Sequence, residues 1–192
     1  MSKIILGIEL GSTRIKSVLI DGRGTVLATG IFEWENTLVE GLWSYSLEDA
    51  ERGVRESYSR LVENYGKTIE RLDAIGVSAM MHGYLAFDKN GKQLVPFRTW
   101  RNTNTGEAAQ KLSRLFAFNV PLRWSVSQYY QAYLDGMEHV KYVAHLTTLA
   151  GYIHYKLTGK NVLGADDASG MFPLDGRDYN AVMLEKFNAL IG

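Results

Sequence analysis

The stretch Lys3-Ile4-Ile5-Leu6-Gly7-Ile8-Glu9-Leu10-Gly11-Ser12-Thr13-Arg14-Ile15-Lys16-Ser17-Val18-Leu19-Ile20-Asp21 decides the fold. An apolar run ends at the carboxylate Glu9. A Gly-Ser-Thr turn follows, and a second β-prone run carrying Lys16 leads into Asp21-Gly22-Arg23-Gly24. Apolar runs of this length joined by a short turn predict a β-hairpin. Two readings of it stand side by side. One is an ordinary hairpin with a polar turn. The other is a hairpin that faces phosphate, in which Gly11 adopts backbone angles closed to other residues, so that N–H groups and the Ser12 and Thr13 hydroxyls approach an anion. Glu9 is then placed to hold a metal-bound water and Lys16 to offset phosphate charge.

Working outward, Thr25-Val26-Leu27-Ala28-Thr29-Gly30-Ile31-Phe32-Glu33-Trp34 is again β-prone, which makes an antiparallel meander of three strands. Asn36 to Tyr45 reads as a loop, with Trp43 packed over the core. Ser46 caps a helix with Asp49 three residues on, and Leu47, Ala50, Val54, Tyr58, Leu61, Val62 and Tyr65 recur at helical spacing until Gly66. Ala74-Ile75-Gly76-Val77-Ser78-Ala79-Met80-Met81 is apolar at nearly every position. That pattern predicts a strand buried on both faces, and its arrival through a helix crossover predicts parallel pairing with the first strand.

The strand ends at His82-Gly83, where an open α/β sheet presents ligand-binding residues. Tyr84 to Phe87 and Gln93 to Pro96 read as a hairpin around Asp88-Lys89-Asn90-Gly91. Trp100, Arg101 and Asn102 then bring an indole, a guanidinium and an amide together, a set suited to stacking on and hydrogen-bonding a polyol. Thr105 can cap the helix that follows. Helical spacing continues over 107–117, 125–134 and 138–157, and 179–191 forms a last helix. Asp166-Asp167 sits in a turn-rich acidic loop, where aspartates serve as caps and turn formers or as acid/base groups.

Composition sets the outer bounds. The chain has 192 residues, 46% of them hydrophobic, enough for one good core or two small ones. Its formal charge is zero, with no basic block, so nothing argues for nucleic acid or a membrane surface. No apolar run is long enough to span a bilayer, and the N-terminus lacks a signal-peptide pattern. The absence of cysteine excludes disulfides and thiolate metal sites and fits a cytoplasmic protein. The four histidines lack zinc-protease spacing. Without an internal repeat or linker, the economical reading is one α/β domain with a helical appendage at about 105–160. Its element order, a meander, a helix, a buried strand and then more helix, is that of an RNase H-like, actin-like half with a mixed sheet.

Four segments, in order, resemble the N-terminal domain of the FGGY carbohydrate kinases, in the style of xylulose kinases. The family's Gly-Ile-Asp-x-Gly-Thr-(Ser/Thr)-x-x-Lys reads here as Gly7-Ile8-Glu9-Leu10-Gly11-Ser12-Thr13-Arg14-Ile15-Lys16. Its Gln-Met-His-Gly reads as Met80-Met81-His82-Gly83, and its Trp-Asn-Asp as Trp100-Arg101-Asn102. A loop like its Ser-Asp-Ala-Ser-Gly-Thr is Asp166-Asp167-Ala168-Ser169-Gly170-Met171. Glu9 stands for the family's Asp, Met80 for Gln and Asn102 for Asp, departures that alter metal geometry and predict an altered sugar.

The resemblance implies the N-terminal, sugar-binding part, residues 1–192, of an ATP- and Mg2+-dependent kinase that phosphorylates a sugar or polyol hydroxyl. Gly11, Ser12, Thr13 and Lys16 would bind phosphate, and Glu9 would hold magnesium through water. Met81, His82, Gly83, Trp100, Arg101 and Asn102 would bind substrate, with Asp167 as a loop contact. In the family a second domain carries most of the ATP site and begins with a Gly-rich loop bearing the aspartate that acts as general base. No such loop occurs in these 192 residues. The expectation is therefore a fragment, inactive alone, whose base lies beyond residue 192 and whose C-terminal domain is a missing partner. A homo-oligomer remains open. Two other classes are carried forward. One is a non-catalytic sugar- or partner-binding module. The other is an RNase H-like nuclease, which needs several carboxylates converging on two metals where only Glu9 lies at a central strand end.

Overall fold

A computed structural model describes residues 3–192. The first two residues, included in the expected domain span, lie outside the described ones. The backbone separates into two compact units. One comprises the chain up to Thr37 together with Tyr45–Met80, and the other comprises Leu38–Ser44 together with Met81–Gly192.

The first unit is built on the expected hairpin. Strand β1 (Ile4–Leu10) pairs antiparallel with β2 (Arg14–Asp21), and β2 with β3 (Val26–Glu33). Leu6, Ile8 and Leu10 lie opposite Leu19, Ser17 and Ile15, and all six are buried on one face. Two short strands follow, β4 (Thr37–Val39) and β5 (Leu42–Tyr45), in the segment read as a loop. Helix α1 (Leu47–Tyr65) begins at Ser46, whose hydroxyl accepts the Asp49 N–H, and ends at Gly66 in the left-handed conformation, φ 65°. It lies against β2 and β3 at close range. A Cβ on Gly30 would stand 1.9 Å from Ser57 O and 2.5 Å from Leu61 N, and Ser17 and Ser57 exchange a buried hydroxyl–hydroxyl bond of 2.9 Å.

Strand β6 (Ala74–Ala79) pairs parallel with β1, as the crossover requires, giving the order β3-β2-β1-β6. Its expected burial on both faces is not found, and Ile75 is 47% exposed. The reason is positional. α1 packs over β2 and β3, so the edge strand gains no cover on that face. The opposite face, with Gly7, Glu9, Lys16, Val18, Gly76 and Ser78 among its lining, is an open groove of about 440 Å3. An apolar strand carries the same pattern whether or not its covering partner is among the described residues.

In the second unit, β7 (Leu85–Phe87) pairs with β9 (His145–Thr147), and β8 (Phe97–Arg98) with β5. The expected hairpin is present but short, a Phe87–Gln93 bridge with the Asp88 N–H bonded to Lys92 O and the Leu94 N–H to Ala86 O, each at 2.9 Å. Helices α2 (Gly106–Phe116), α3 (Ser125–Leu134), α4 (Leu149–Thr158), the single turn α5 (Ala165–Ala168) and α6 (Ala181–Ile191) follow, with β10 (Leu174–Asp175) and β11 (Asp178–Tyr179) as a small hairpin before α6. The continuous helix expected over 138–157 is broken into a 3-10 turn at Glu138–Tyr142, β9 and α4, because Thr148 caps a new helix by accepting the Gly151 N–H. Ala108, Leu112, Phe116, Val126, Tyr130, Phe172 and Phe187 form the core of this unit. No helix among the described residues is long and apolar enough to cross a membrane.

Candidate functional site

The hairpin turn of the first unit is held from behind. The Gly11 N–H closes it onto Arg14 O at 2.9 Å. Three consecutive carbonyls then accept bonds: Gly11 O from the Trp34 indole N–H at 2.8 Å, Ser12 O from the Tyr45 hydroxyl at 2.6 Å, and Thr13 O from the Trp34 backbone N–H at 3.2 Å. Ser12 and Thr13 are exposed, and their backbone N–H groups have no acceptor among the described residues. Gly11 does not adopt the left-handed backbone expected of it. Its requirement is space, since a Cβ there would lie 3.2 Å from Arg14 O.

Glu9 and Lys16 face each other across the strands, with Oε2 and Nζ 3.7 Å apart and both side chains well exposed. Such a pair contributes little to stability, about 0–1 kcal/mol, and stays free to turn toward a ligand. Among the described residues no group of three acidic, histidine or cysteine side chains is arranged to hold a metal. A single exposed carboxylate fits a magnesium ion that keeps its waters and takes its direct ligands from phosphates.

In the second unit the segment after β6 carries two adjacent residues of positive φ, His82 at 65° and Gly83 at 115°. For histidine this is a strained backbone that its surroundings must over-determine. They do so through several contacts. The Ser125 hydroxyl donates to Gly83 O at 2.7 Å, the Gly83 N–H to Arg123 O at 3.3 Å, and the Ser125 N–H to Gly170 O at 3.4 Å. A Cβ on Gly83 would meet Arg98 O and the Phe97 ring at 2.7 Å, and one on Gly170 would meet His82 Nδ1 at 2.7 Å. The His82-Gly83 segment, the start of α3 and the acidic loop thus meet around His82. Its Nδ1 is buried without a hydrogen-bond partner, an expensive state for a polar atom and one that a ligand can relieve. Gln128, one turn along α3 from Trp124, is 3% exposed, and its Nε2 is likewise unpartnered. Sequence reading passed over it, although a glutamine among the apolar positions of α3 was the available signal. Met81 is 49% exposed.

The Trp100–Asn102 cluster divides. Trp100 is half-buried with the Arg123 guanidinium 5.4 Å above its ring, and exposed Arg101 lies 3.7 Å over the Trp43 ring. Asn102 turns inward. Its amide nitrogen donates to Trp43 O at 2.9 Å and Thr99 O at 3.1 Å, and its oxygen accepts the Trp43 N–H at 2.9 Å. Both amide protons are spent on the fold, which leaves the side chain bracketing a peptide rather than facing a ligand. Thr105 occupies the N-cap position of α2, but its hydroxyl donates to Leu122 O.

Asp167 is half-buried and accepts the Thr148 hydroxyl at 3.1 Å. Burial pushes its carboxyl above the ordinary range, the Thr148 bond opposes that rise, and the Asp166 charge adds to it. A second polar cluster had no sequence signal. The buried Tyr84 hydroxyl is bonded to His139 Nε2 at 3.0 Å, and the buried Arg98 guanidinium lies 5.4 Å from the Tyr84 ring. Burial raises the Tyr84 hydroxyl and lowers His139, the latter also through the Arg98 charge.

Comparison with known proteins bears on the family and the fold. The model of the "FGGY family of carbohydrate kinases, N-terminal domain" matches residues 4–189. The xylulose kinase of Staphylococcus xylosus is 22% identical over 96% of this chain and 40% of its own length. The glycerol kinase of Thermococcus kodakarensis is 22% identical over 98% of this chain and 41% of its own. Among solved structures, the xyloylose kinase of Brucella ovis superposes with a TM-score of 0.87 at 20% identity, over 96% of this chain and 41% of that one. At that identity the likeness carries the fold, and the α/β, RNase H-like (actin-like ATPase) class holds. The chain spans about 40% of the length of these relatives.

Proposed function

The chain belongs to the FGGY family of carbohydrate kinases, and from that premise we propose that it is the N-terminal portion of an ATP-dependent kinase acting on a sugar or polyol hydroxyl. The observation that carries this reading is the turn of residues 11–13, whose three carbonyls are all taken up by the fold while two successive N–H groups and two hydroxyls stay open. Backbone donors fixed in advance lower the cost of gathering charge on a phosphoryl group, because they need no reorganisation when it arrives.

Gly11 lets the turn close, Ser12 and Thr13 present donors to phosphate, and Lys16 supplies positive charge beside them. Glu9 would hold a water of a nucleotide-bound Mg2+, which when bound would neutralise phosphoryl oxygens. In the second unit, His82, whose buried Nδ1 lacks a hydrogen-bond partner, Met81, Gly83, Trp100 and Arg101 form the substrate-facing set. Asn102 supports that set by holding Trp43, over which Arg101 lies. Asp167 acts through the loop that borders His82. No convergence of carboxylates among the described residues supports the nuclease reading.

The test is a calorimetric and thermal-shift screen of the chain against pentuloses, hexuloses and polyols. The expected result is saturable heat and a raised Tm with at least one of them, both lost in His82→Ala. An absence of heat and of any shift across the whole panel refutes the substrate-facing assignment.

A further inference from the structure

The turn at residues 11–13 has a dedicated support that its own residues do not supply. Trp34 lies just past the end of β3, and Tyr45 is the last residue of β5. Both are buried within the first unit, and their rings stack with centroids 4.3 Å apart and planes inclined by 28°. Each points its only side-chain proton at a different carbonyl of the turn, the Trp34 indole at Gly11 O and the Tyr45 phenol at Ser12 O. The Tyr45 oxygen is itself fixed, because the Asn36 amide donates to it at 3.1 Å. That bond leaves the phenol proton to Ser12.

Peptide planarity converts these two bonds into an orientation of the opposite groups. No peptide bond in the described chain is cis, so each carbonyl and the N–H that follows it point in opposite directions. With Gly11 O drawn to the indole, the Ser12 N–H faces away from the aromatic pair. With Ser12 O drawn to the phenol, the Thr13 N–H does the same. A crankshaft rotation of either peptide would break a buried bond and leave an indole or phenol donor unsatisfied. Two successive N–H groups held on one side form a concave anion seat.

We propose that Trp34 and Tyr45 are positioning residues that lock the Ser12 and Thr13 N–H groups toward bound phosphate. The inference rests on the phosphate reading of the turn and adds to it two residues that never touch the ligand. It differs from a packing role in one respect: removing only the donor atom, with the rings and their stacking kept, weakens anion binding out of proportion to any loss of stability.

The experiment is a 1H–15N titration of the chain with inorganic pyrophosphate, following the Ser12 and Thr13 amides and the Trp34 indole. The wild-type chain is expected to show saturable shifts at all three. Trp34→Phe and Tyr45→Phe each keep an aromatic ring and lose one donor, and each is expected to weaken pyrophosphate affinity about fivefold, the equivalent of one hydrogen bond. Ser57→Ala removes a buried hydrogen bond elsewhere in the same unit and is expected to lower Tm with affinity unchanged. If the wild-type amides do not respond, the phosphate reading falls and the inference with it. If they respond and both Phe variants bind as tightly as wild type, the inference alone is overturned. The two positions are tested separately, so that failure of one variant to fold leaves the other to decide.

Discussion

Replacing Asn102 by aspartate exchanges one atom and tests whether the side chain holds the fold. In the structure the amide nitrogen donates to Trp43 O and Thr99 O at 2.9 and 3.1 Å, and the residue is 5% exposed. An ionised aspartate would set a second oxygen against those two carbonyls with no proton between them. Such a buried anion is avoided by taking up a proton, which at pH 7 costs about 4 kcal/mol relative to an ordinary aspartate of pKa about 3.9. The neutral acid then supplies one O–H where the amide supplied two N–H groups, a further loss of about 1 kcal/mol. The ceiling is therefore about 5 kcal/mol at pH 7, and relaxation of the 99–102 loop brings the expected loss to roughly 2–5 kcal/mol.

The sign with pH follows from a folded-state pKa raised above the unfolded one. The penalty is largest above the folded pKa and shrinks as the pH falls toward about 3.9, so by pH 5 the ceiling is about half its neutral value. Urea unfolding at pH 7 and pH 5, followed by tryptophan fluorescence, reads it directly. Trp43, Trp100 and Trp124, three of the four tryptophans, report on the second unit. A variant within about 0.5 kcal/mol of wild type at pH 7 and with the same pH dependence would refute the bracketing role, since a surface amide tolerates the exchange at about that level.

Two further outcomes are expected. Gly30→Ala places a methyl 1.9 Å from Ser57 O, a backbone atom that no rotamer change can move, so α1 must withdraw from β3 and the loss should reach about 3 kcal/mol or more; denaturant unfolding showing under about 1 kcal/mol contradicts the close approach. His139 has a folded pKa lowered by burial and by the Arg98 charge, and burial lowers His145 against the opposing Asn161 bond, so the unfolded chain takes up protons first as the pH falls through about 6.5. The Tm should therefore fall between pH 7.5 and pH 5.5, and fall less in His139→Gln; an identical slope in the variant removes His139 as the cause.

What the sequence made legible was local. The Gly11 turn, the apolar and β-prone runs on either side of it, the Ser46 cap and the Gly66 stop each depend on neighbours within a few residues, and the structure repeats them. Parallel pairing of β6 followed from the length of the crossover. The misses depend on residues far apart in the chain. Asn102 reads as a free amide until Trp43, 59 residues earlier, is found to occupy it. The 138–157 region reads as one helix until β9 pairs with β7 across some 60 residues. The aromatic pair behind the hairpin had no motif, since Trp34 and Tyr45 meet Gly11 and Ser12 across 23 and 33 positions.

The outer edge of β6 bears on how the chain behaves in concentrated solution. Among the described residues its terminal place in the sheet leaves one row of backbone donors and acceptors without a strand partner, and its side chains, from Ala74 to Ala79, include no charge and no proline to repel a newcomer. A strand of this kind is a template for sheet extension, and two copies of the chain meeting there can lengthen each other's sheet by backbone bonding alone. Association at this edge would scale with protein concentration rather than with unfolding, so solubility and thermal stability are expected to vary separately for this polypeptide.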